Sequence, residues 1–65
     1  MTIQQQTPEL IRASELASLV PYSAVQIRRL EDAGAFPRRV RLGANRVGWV
    51  RSEVDQWLRD RIEER

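Results

Sequence analysis

The sequence predicts a small, mainly α-helical domain with one β-hairpin. Apolar residues recur at helical spacing in three segments, and between residues 38 and 50 the spacing changes to every second residue. The chain has 65 residues, of which 42% are hydrophobic, and this suits a single domain with one small core. It contains no cysteine and no histidine, so we expect packing alone, without a disulfide or a zinc ion, to hold the core together.

The first two helices are predicted to be separated by a short turn. Residues 14–20 form the first helix, with three apolar side chains on one face: Leu16, Leu19 and Val20. Pro21 should end it, because the residue before a proline disfavours the α conformation. Ser23 is expected to be the N-cap of the second helix, since its hydroxyl can accept a hydrogen bond from a free amide of the first turn. Gly34 should end that helix, and Pro37 should prevent it from resuming.

The second helix is predicted to have one apolar face and one charged face. The apolar side chains, at a spacing of three, are Ala24, Ile27 and Leu30. The opposite face carries Val25, Arg28, Arg29 and Asp32. A helix divided in this way packs one face on the core and leaves an adjacent pair of arginines on the other.

A β-hairpin is predicted to follow Pro37. The apolar side chains that alternate with arginine or glycine are Val40, Leu42, Val47 and Trp49. The loop between the strands is expected to have four residues, 43–46, in which Gly43 and Asn45 tolerate positive φ.

The folded domain is predicted to span residues 10–65, behind a flexible N-terminal tail of residues 1–9. Residues 10–12 are a short apolar entry that suits a strand. Ser52 is expected to cap the third helix, with Asp55 as its partner in a capping box. The apolar stripe of this helix consists of Val54, Trp57, Leu58 and Ile62.

Both tryptophans are assigned to the core. They lie on the apolar phase of their elements, and a core this small needs large side chains. The alternative is that they are stacking surfaces for single-stranded nucleic acid. The predicted core consists of Leu16, Leu19, Ile27, Leu30, Phe36, Leu42, Trp49, Val54, Trp57 and Leu58.

Positive charge is concentrated in the middle of the chain. The net charge is +2, but residues 28–51 carry +5, whereas residues 1–27 and 52–65 carry −1 and −2. All eleven basic residues are arginines, and a guanidinium group matches phosphates and guanine edges better than an ammonium group does. This distribution predicts one surface that attracts a polyanion.

The residue types argue against an enzyme, a cofactor site and a membrane protein. Lysine is absent as well as histidine and cysteine, no carboxylate pair falls in an apolar setting, and no glycine-rich phosphate loop is present. No apolar run approaches the roughly 20 residues of a membrane span, and residues 1–9 lack the features of a signal peptide. We therefore expect a cytoplasmic protein without a cofactor or a metal.

Double-stranded DNA is the ligand that the helical pattern favours. Two helices joined by a short turn, the second with outward arginines, are typical of a helix-turn-helix, whose second helix enters the major groove. The candidate contacts there are Ser23, Ala24, Val25, Gln26, Arg28 and Arg29. Ala24 and Val25 suit a thymine methyl group, Gln26 suits a phosphate or an adenine edge, and the arginines suit base edges or phosphates. The alternative is that these arginines are ordinary solvated residues paired with Asp32.

The hairpin and its flanks supply a second group of candidate contacts. Residues 38–51 contain five arginines and no acidic residue. The candidates are Arg38, Arg39, Arg41, Asn45, Arg46 and Arg51. Asn45 and Arg46, at the tip, suit a wing that meets a minor groove or a run of phosphates. The alternative is a solvated edge that charge protects against aggregation.

Several short motifs occur together at a specific spacing. They are Leu10-Ile11-Arg12; Ser23 followed by Ile27, Arg29 and Leu30; Gly34, Phe36 and Pro37; Val40, Leu42 and Gly43; and Val47-Gly48-Trp49 leading to Ser52-Glu53-Val54 and Trp57-Leu58. Over residues 10–61 the chain resembles the AlpA-type phage and prophage regulators, relatives of excisionases and of the MerR-like winged-helix group. The resemblance implies a DNA-binding winged helix-turn-helix, with residues 23–33 as the reading helix and residues 40–50 as the wing.

The chain departs from the family's pattern in and around the reading helix. The family usually has glycine where Pro21 stands, and often has polar or basic residues in place of Ala24 and Val25. It often has tyrosine in place of Arg28 and commonly a second proline in place of Arg39. These differences imply a target sequence unlike that of better-known members.

The functional hypothesis is sequence-specific binding of double-stranded DNA by a phage or prophage transcriptional regulator. One alternative is an excisionase that bends attachment-site DNA. Another, of a different class, is a protein-interaction adaptor that uses the acidic last helix. The partners considered are double-stranded DNA, further copies of the chain on adjacent DNA sites, and an integrase.

Overall fold

A computed structural model describes residues 9–65 of the chain. The elements follow in the order β1 (Leu10–Ile11), α1 (Ala13–Leu19), α2 (Ala24–Asp32), β2 (Val40–Gly43), β3 (Arg46–Val50) and α3 (Arg51–Glu63). This confirms the predicted fold class, a mainly α-helical domain with a small β-hairpin in a winged helix-turn-helix arrangement. The predicted tail, residues 1–9, lies outside the described residues apart from Glu9.

The sheet joins the beginning of the domain to the hairpin. β3 lies in the centre, with β1 and β2 antiparallel on its two sides. Ile11 pairs with Trp49, and Val40 pairs with Gly48. A Cβ atom at position 48 would lie 3.2 Å from the carbonyl oxygen of Ile11 and 3.3 Å from Cδ1 of Leu42. Glycine at this position therefore lets the strands approach closely.

α1 and α2 are joined by a short turn, as predicted. α1 ends at Leu19, and Val20 has an extended backbone with φ −124° and ψ 117°. This is the conformation expected of a residue that precedes a proline, here Pro21. Val20 is 1% exposed, so it belongs to the core although it lies just beyond the helix.

Both ends of α2 are formed by local hydrogen bonds. The Ser23 hydroxyl accepts from the Gln26 amide at 3.1 Å, and the Gln26 side-chain oxygen accepts from the Ser23 amide at 3.1 Å, which is a capping box. At the other end Gly34 has φ +74°. The amides of Gly34 and Ala35 donate to carbonyl oxygens of the last turn at 3.0 and 2.8 Å, as in a Schellman motif. The predicted N-cap and glycine stop are confirmed.

The core lies between the helices and one face of the sheet. Its buried hydrophobic residues are Ile11, Leu16, Val20, Ile27, Phe36, Trp49 and Val54. Half-buried residues pack against them: Leu19, Leu30, Val47, Trp57 and Leu58. Nine of the ten predicted core residues belong to these two sets. Both tryptophans pack in or against the core, so their assignment to it is confirmed.

The prediction that Leu42 lies in the core is wrong, because its side chain is 53% exposed. The register explains why. Arg41 pairs with Val47, and paired residues share a face of the sheet. The next residue, Leu42, therefore falls on the face of Gly48, opposite to the side on which Trp49 is buried.

The predicted hairpin loop and the predicted cap of α3 are also wrong. Gly43 pairs with Arg46 after a β-bulge, so the loop has two residues, 44–45. Among residues 9–65 positive φ occurs at Gly34 alone, so neither Gly43 nor Asn45 uses the positive φ that was predicted for the loop. α3 begins at Arg51, with Val50 as an N-cap that makes no side-chain hydrogen bond.

Ser52 therefore lies inside α3. β3 runs directly into this helix, since the Arg51 amide donates to the Glu9 carbonyl oxygen at 2.8 Å and continues the pairing of the sheet. Asp55 approaches Arg51 instead of Ser52, with 3.9 Å between its Oδ2 and the guanidinium Nε. Within the described part of the chain, no helix is long and apolar enough to cross a membrane.

Replacing Gly34 with alanine should destabilise the domain by about 1–2 kcal/mol, the usual cost of a left-handed conformation for a residue with a Cβ atom. No atom lies within 4 Å of a Cβ built at this position, so the cost is conformational. Gly43→Ala is the matched control, because its surroundings are equally open and its φ is not positive. Urea unfolding of both variants checks this. Equal stability of the two would contradict the helix stop described above.

Trp57→Ala should cost about 3 kcal/mol, near the lower end for a large aromatic residue because Trp57 is half-buried. Its ring meets that of Phe36 edge-on at 4.8 Å between centroids, and its Nε1 donates to the Ala35 carbonyl oxygen at 2.7 Å. The control is Leu42→Ala, which should cost well under about 1 kcal/mol because this side chain is exposed. Urea unfolding measures both. A Trp57→Ala protein as stable as the wild type would refute the core assignment.

Candidate nucleic-acid interface

The outer surface of α2 and its cap carries all the contacts predicted for the reading helix. Val25 is 60% exposed, and the Arg28 side chain is 63% exposed. The other four are exposed as well: Ser23, Ala24, Gln26 and Arg29. The opposite face is held on the domain by Ile27, which is buried, and by Leu30, which is half-buried. The prediction that Ile27 and Leu30 face the core and the arginines face outward is confirmed, whereas Ala24, which was placed on the apolar face, is exposed.

The capping box changes what Gln26 can offer to a ligand. Its side-chain oxygen already accepts from the Ser23 amide. A bidentate contact with adenine needs both the oxygen and the NH₂ group of the amide. With the cap intact, the oxygen is held toward the Ser23 amide and the NH₂ group stays free to donate, which suits a phosphate oxygen.

Arg28 is paired weakly within its own helix. Its Nε lies 3.8 Å from Oδ1 of Asp32, and the two side chains are 63% and 69% exposed. The pair with Asp32 named as the alternative thus exists in the free protein. Such exposed pairs contribute little to stability, so Arg28 can exchange Asp32 for another anion at little cost.

The hairpin presents a second set of exposed polar side chains. Arg38 precedes β2, Arg41 lies on it, Asn45 is in the turn and Arg46 begins β3. All four side chains are exposed. β2 is an edge strand of the sheet, so this charge also fits the alternative of protection against edge-to-edge association.

A groove between α2 and the hairpin brings the two sets of arginines together. Four of the predicted contacts line it: Arg28, Arg38, Arg39 and Arg41. The acidic residues in its wall are Glu31 and Asp32, and each of them is already within 4 Å of one of these arginines. The groove therefore keeps a net positive charge and connects the end of the helix to the edge of the wing.

Two of the predicted contacts are half-buried and have partners within the protein. Arg39 donates from Nε to Oε1 of Glu31 at 2.8 Å, and its guanidinium carbon lies 5.1 Å from the centre of the Trp49 ring. Arg51 lies 3.7 Å from the Glu9 carboxylate and 3.9 Å from that of Asp55. These contacts give both arginines a structural role in addition to any contact with DNA.

Sequence reasoning missed Glu31, which is 5% exposed. Its Oε1 accepts from Arg39, and its Oε2 accepts from Nε1 of Trp49 at 2.9 Å. The sequence did contain a signal for its burial, because position 31 follows Ile27 by four residues and so lies on the core face of α2. A carboxylate at such a position must find donors, because burying it without them is costly.

Comparison with known proteins places the chain in a family. The family model described as Prophage CP4-57 regulatory protein (AlpA) matches residues 9–62. The chain belongs to this family. The match extends from the residue before β1 almost to the end of α3, so it includes every candidate contact.

Two curated relatives are similar over most of the chain. The DNA-binding transcriptional activator AlpA of Escherichia coli (strain K12) is 30% identical over 54 residues, which are 83% of this chain and 77% of the relative. The uncharacterized protein ORF88 of Enterobacteria phage P4 is 38% identical over 52 residues, which are 80% of this chain. The chain spans 59% of the length of ORF88. AlpA family membership thus agrees with the resemblance seen in the sequence.

Glu31→Ala should destabilise the domain by about 2–3 kcal/mol. The substitution leaves the buried Trp49 Nε1 without its acceptor, which costs about 1–3 kcal/mol, and removes the partner of Arg39. Glu53→Ala is the matched control, because this carboxylate is exposed on α3 and should cost less than about 0.5 kcal/mol. Urea unfolding measures the difference, and equal stabilities would show that the Glu31 hydrogen bonds are unimportant.

Proposed function

We propose that the protein binds double-stranded DNA in a sequence-specific manner and acts as a phage or prophage transcriptional regulator. α2 enters the major groove, and the β2–β3 hairpin is a wing on the neighbouring phosphates or minor groove. The observation that carries the proposal is the groove in which arginines of α2, of the following loop and of β2 come together. Converging guanidinium groups on two adjoining elements suit a continuous run of phosphates.

The dimensions of α2 support this placement. Its nine residues rise over about 13 Å, and a helix with its side chains is about 10–12 Å across. The major groove of B-DNA is roughly 12 Å wide. A single module of this kind buries about 600–1,000 Å² of protein surface, so we expect further copies on adjacent sites to contribute to specificity.

The proposal assigns a role to most of the candidate contacts. Arg28 and Arg29 reach guanine edges or phosphates, and Ala24 and Val25 meet thymine methyl groups. Gln26 donates to a phosphate, because its oxygen remains in the cap. On the wing side, phosphate or minor-groove contacts are proposed for Arg38, Arg39, Arg41, Asn45 and Arg46. Arg51 contributes less, since its guanidinium lies between two carboxylates.

The description of the E. coli relative favours a regulator over the two alternatives. That relative is described as a DNA-binding transcriptional activator. An excisionase would use the same surface but would bind and bend attachment-site DNA, with an integrase as its partner. An adaptor would use α3 and the residues that follow it. Residues 52–65 have a net charge of −2. Footprinting on the DNA upstream of the protein's own gene and of any adjacent integrase gene, and on attachment-site DNA, distinguishes the three, because a regulator protects the first, an excisionase the second and an adaptor neither.

Arg28→Ala and Arg46→Ala should weaken DNA binding in different ways. Losing Arg28 should cost about 1–3 kcal/mol on the specific site and little on random DNA, because a guanidinium on the reading helix can fork onto guanine. Losing Arg46 at the wing tip should weaken binding to both kinds of DNA. It should also reduce the salt slope, the slope of log affinity against log salt concentration, by about one unit. Affinities for specific and random duplexes across a salt series measure both effects.

The control for this experiment is Arg59→Ala, which removes an exposed arginine from α3. It makes the same change of charge away from the proposed surface and should leave the specific affinity within about twofold of the wild type. If all three variants bind specific and random duplexes as the wild type does, the arginines of α2 and the wing form only a solvated surface, and the adaptor becomes the better proposal.

A further inference from the structure

We infer that Glu31 is a positioning residue for DNA binding, which holds the wing in a fixed orientation relative to the reading helix. The inference rests on the proposed function and adds a residue that does not itself touch DNA. Glu31 is nearly fully buried, and both of its carboxylate oxygens accept hydrogen bonds from protein side chains, so its proposed role is indirect. Its effect on binding would pass through the two side chains that it holds.

The geometry connects three separate parts of the chain at one carboxylate. Glu31 belongs to α2, Arg39 lies just before β2, and Trp49 lies in β3. The two carboxylate oxygens each accept one N–H group, at 2.8 and 2.9 Å. Since Arg39 directly precedes β2 and Trp49 belongs to β3, both sides of the hairpin are tied to the same point on the reading helix.

Arg39 is held in two ways at once. Its Nε is hydrogen-bonded to Glu31, and its guanidinium carbon lies over the Trp49 ring at 5.1 Å from the centroid. Its side chain is still 29% exposed, and it lines the groove beside Arg28 and Arg41. The terminal nitrogens of a guanidinium fixed through Nε can donate to a phosphate in a set direction. Glu31 also offsets the repulsion among these arginines, which would otherwise oppose their convergence.

A near-isosteric substitution separates this positioning role from a contribution to packing. Glu31→Gln keeps the shape of the side chain but has one oxygen and one NH₂ group. One of the two N–H donors, that of Arg39 or that of Trp49, then faces another donor. The link between the helix and the hairpin is broken at one side while the core volume is unchanged.

The test is a double-mutant cycle that combines substitutions at position 31 and at the wing tip and measures DNA affinity. Wild type, E31Q, R46A and the double variant are titrated with the footprinted duplex across a salt series, at a temperature where circular dichroism shows all four folded. E31Q alone should weaken specific binding by about tenfold, within the range for coupled neighbours. R46A should lower the salt slope by about 0.9 in the wild-type background and by less than about 0.3 in the E31Q background, because an unanchored wing no longer places Arg46 on a phosphate.

The controls make each outcome decisive. E63Q makes the same chemical change at an exposed site on α3 and should leave the slope and its response to R46A unchanged. If E31Q does not stay folded, Trp49→Phe, which removes the Nε1 donor together with part of the indole and keeps an aromatic ring, takes its place in the same cycle. An R46A effect of equal size in both backgrounds would overturn the inference and leave the proposed function intact. Failure of the wild type to bind any duplex would instead overturn the proposed function itself.

Discussion

The buried carboxylate of Glu31 is the constraint on which the relation between the helix and the hairpin depends. A chain of 65 residues buries only about 60% of its unfolded surface, so it has little apolar area with which to fix the angle between two elements. Arg39 and Trp49 each donate a hydrogen bond to this carboxylate, and because hydrogen bonds are directional, they fix the angle between the helix and the hairpin. A buried ion pair adds little net stability compared with an apolar core, but removing one partner is costly. The arrangement therefore suits orientation more than overall stability.

The same carboxylate explains how a small domain can concentrate positive charge on one side. The groove between α2 and the hairpin is lined by four arginines and two acids, and each acid is paired with one arginine. The exposed pair of Arg28 and Asp32 can open readily, whereas the pair of Arg39 and Glu31 is fixed by burial and by the Trp49 ring. One arginine is thus free to exchange partners and the other is held in place, as expected for a surface that combines base reading with phosphate anchoring.

Most of the fold could be predicted from the sequence because its signals are local. The Ser23 cap, Pro21 and the glycine stop at Gly34 act within a few residues of themselves, and all are confirmed. Apolar spacing located the buried side of the helices except at Ala24 and Ile62, which are exposed. The other wrong predictions concern long-range pairing. The exposure of Leu42 follows from the register of β2 against β3, and the start of α3 follows from the pairing of Arg51 with Glu9, which no local pattern reveals. The arginine-rich surface could be predicted from the distribution of charge along the chain. The pairing of Glu31 with two side chains distant in sequence could be seen only in the folded structure.

The most direct test of the account is to map the surface that DNA contacts. Amide chemical shifts of the ¹⁵N-labelled protein are followed by NMR during titration with a duplex taken from a footprinted site. We expect the largest shifts in residues 23–29, 38–41 and 45–46, and little change in the exposed part of α3 beyond Arg51. Shifts confined to α3, or no shifts at equimolar duplex, would contradict the proposed DNA-binding surface.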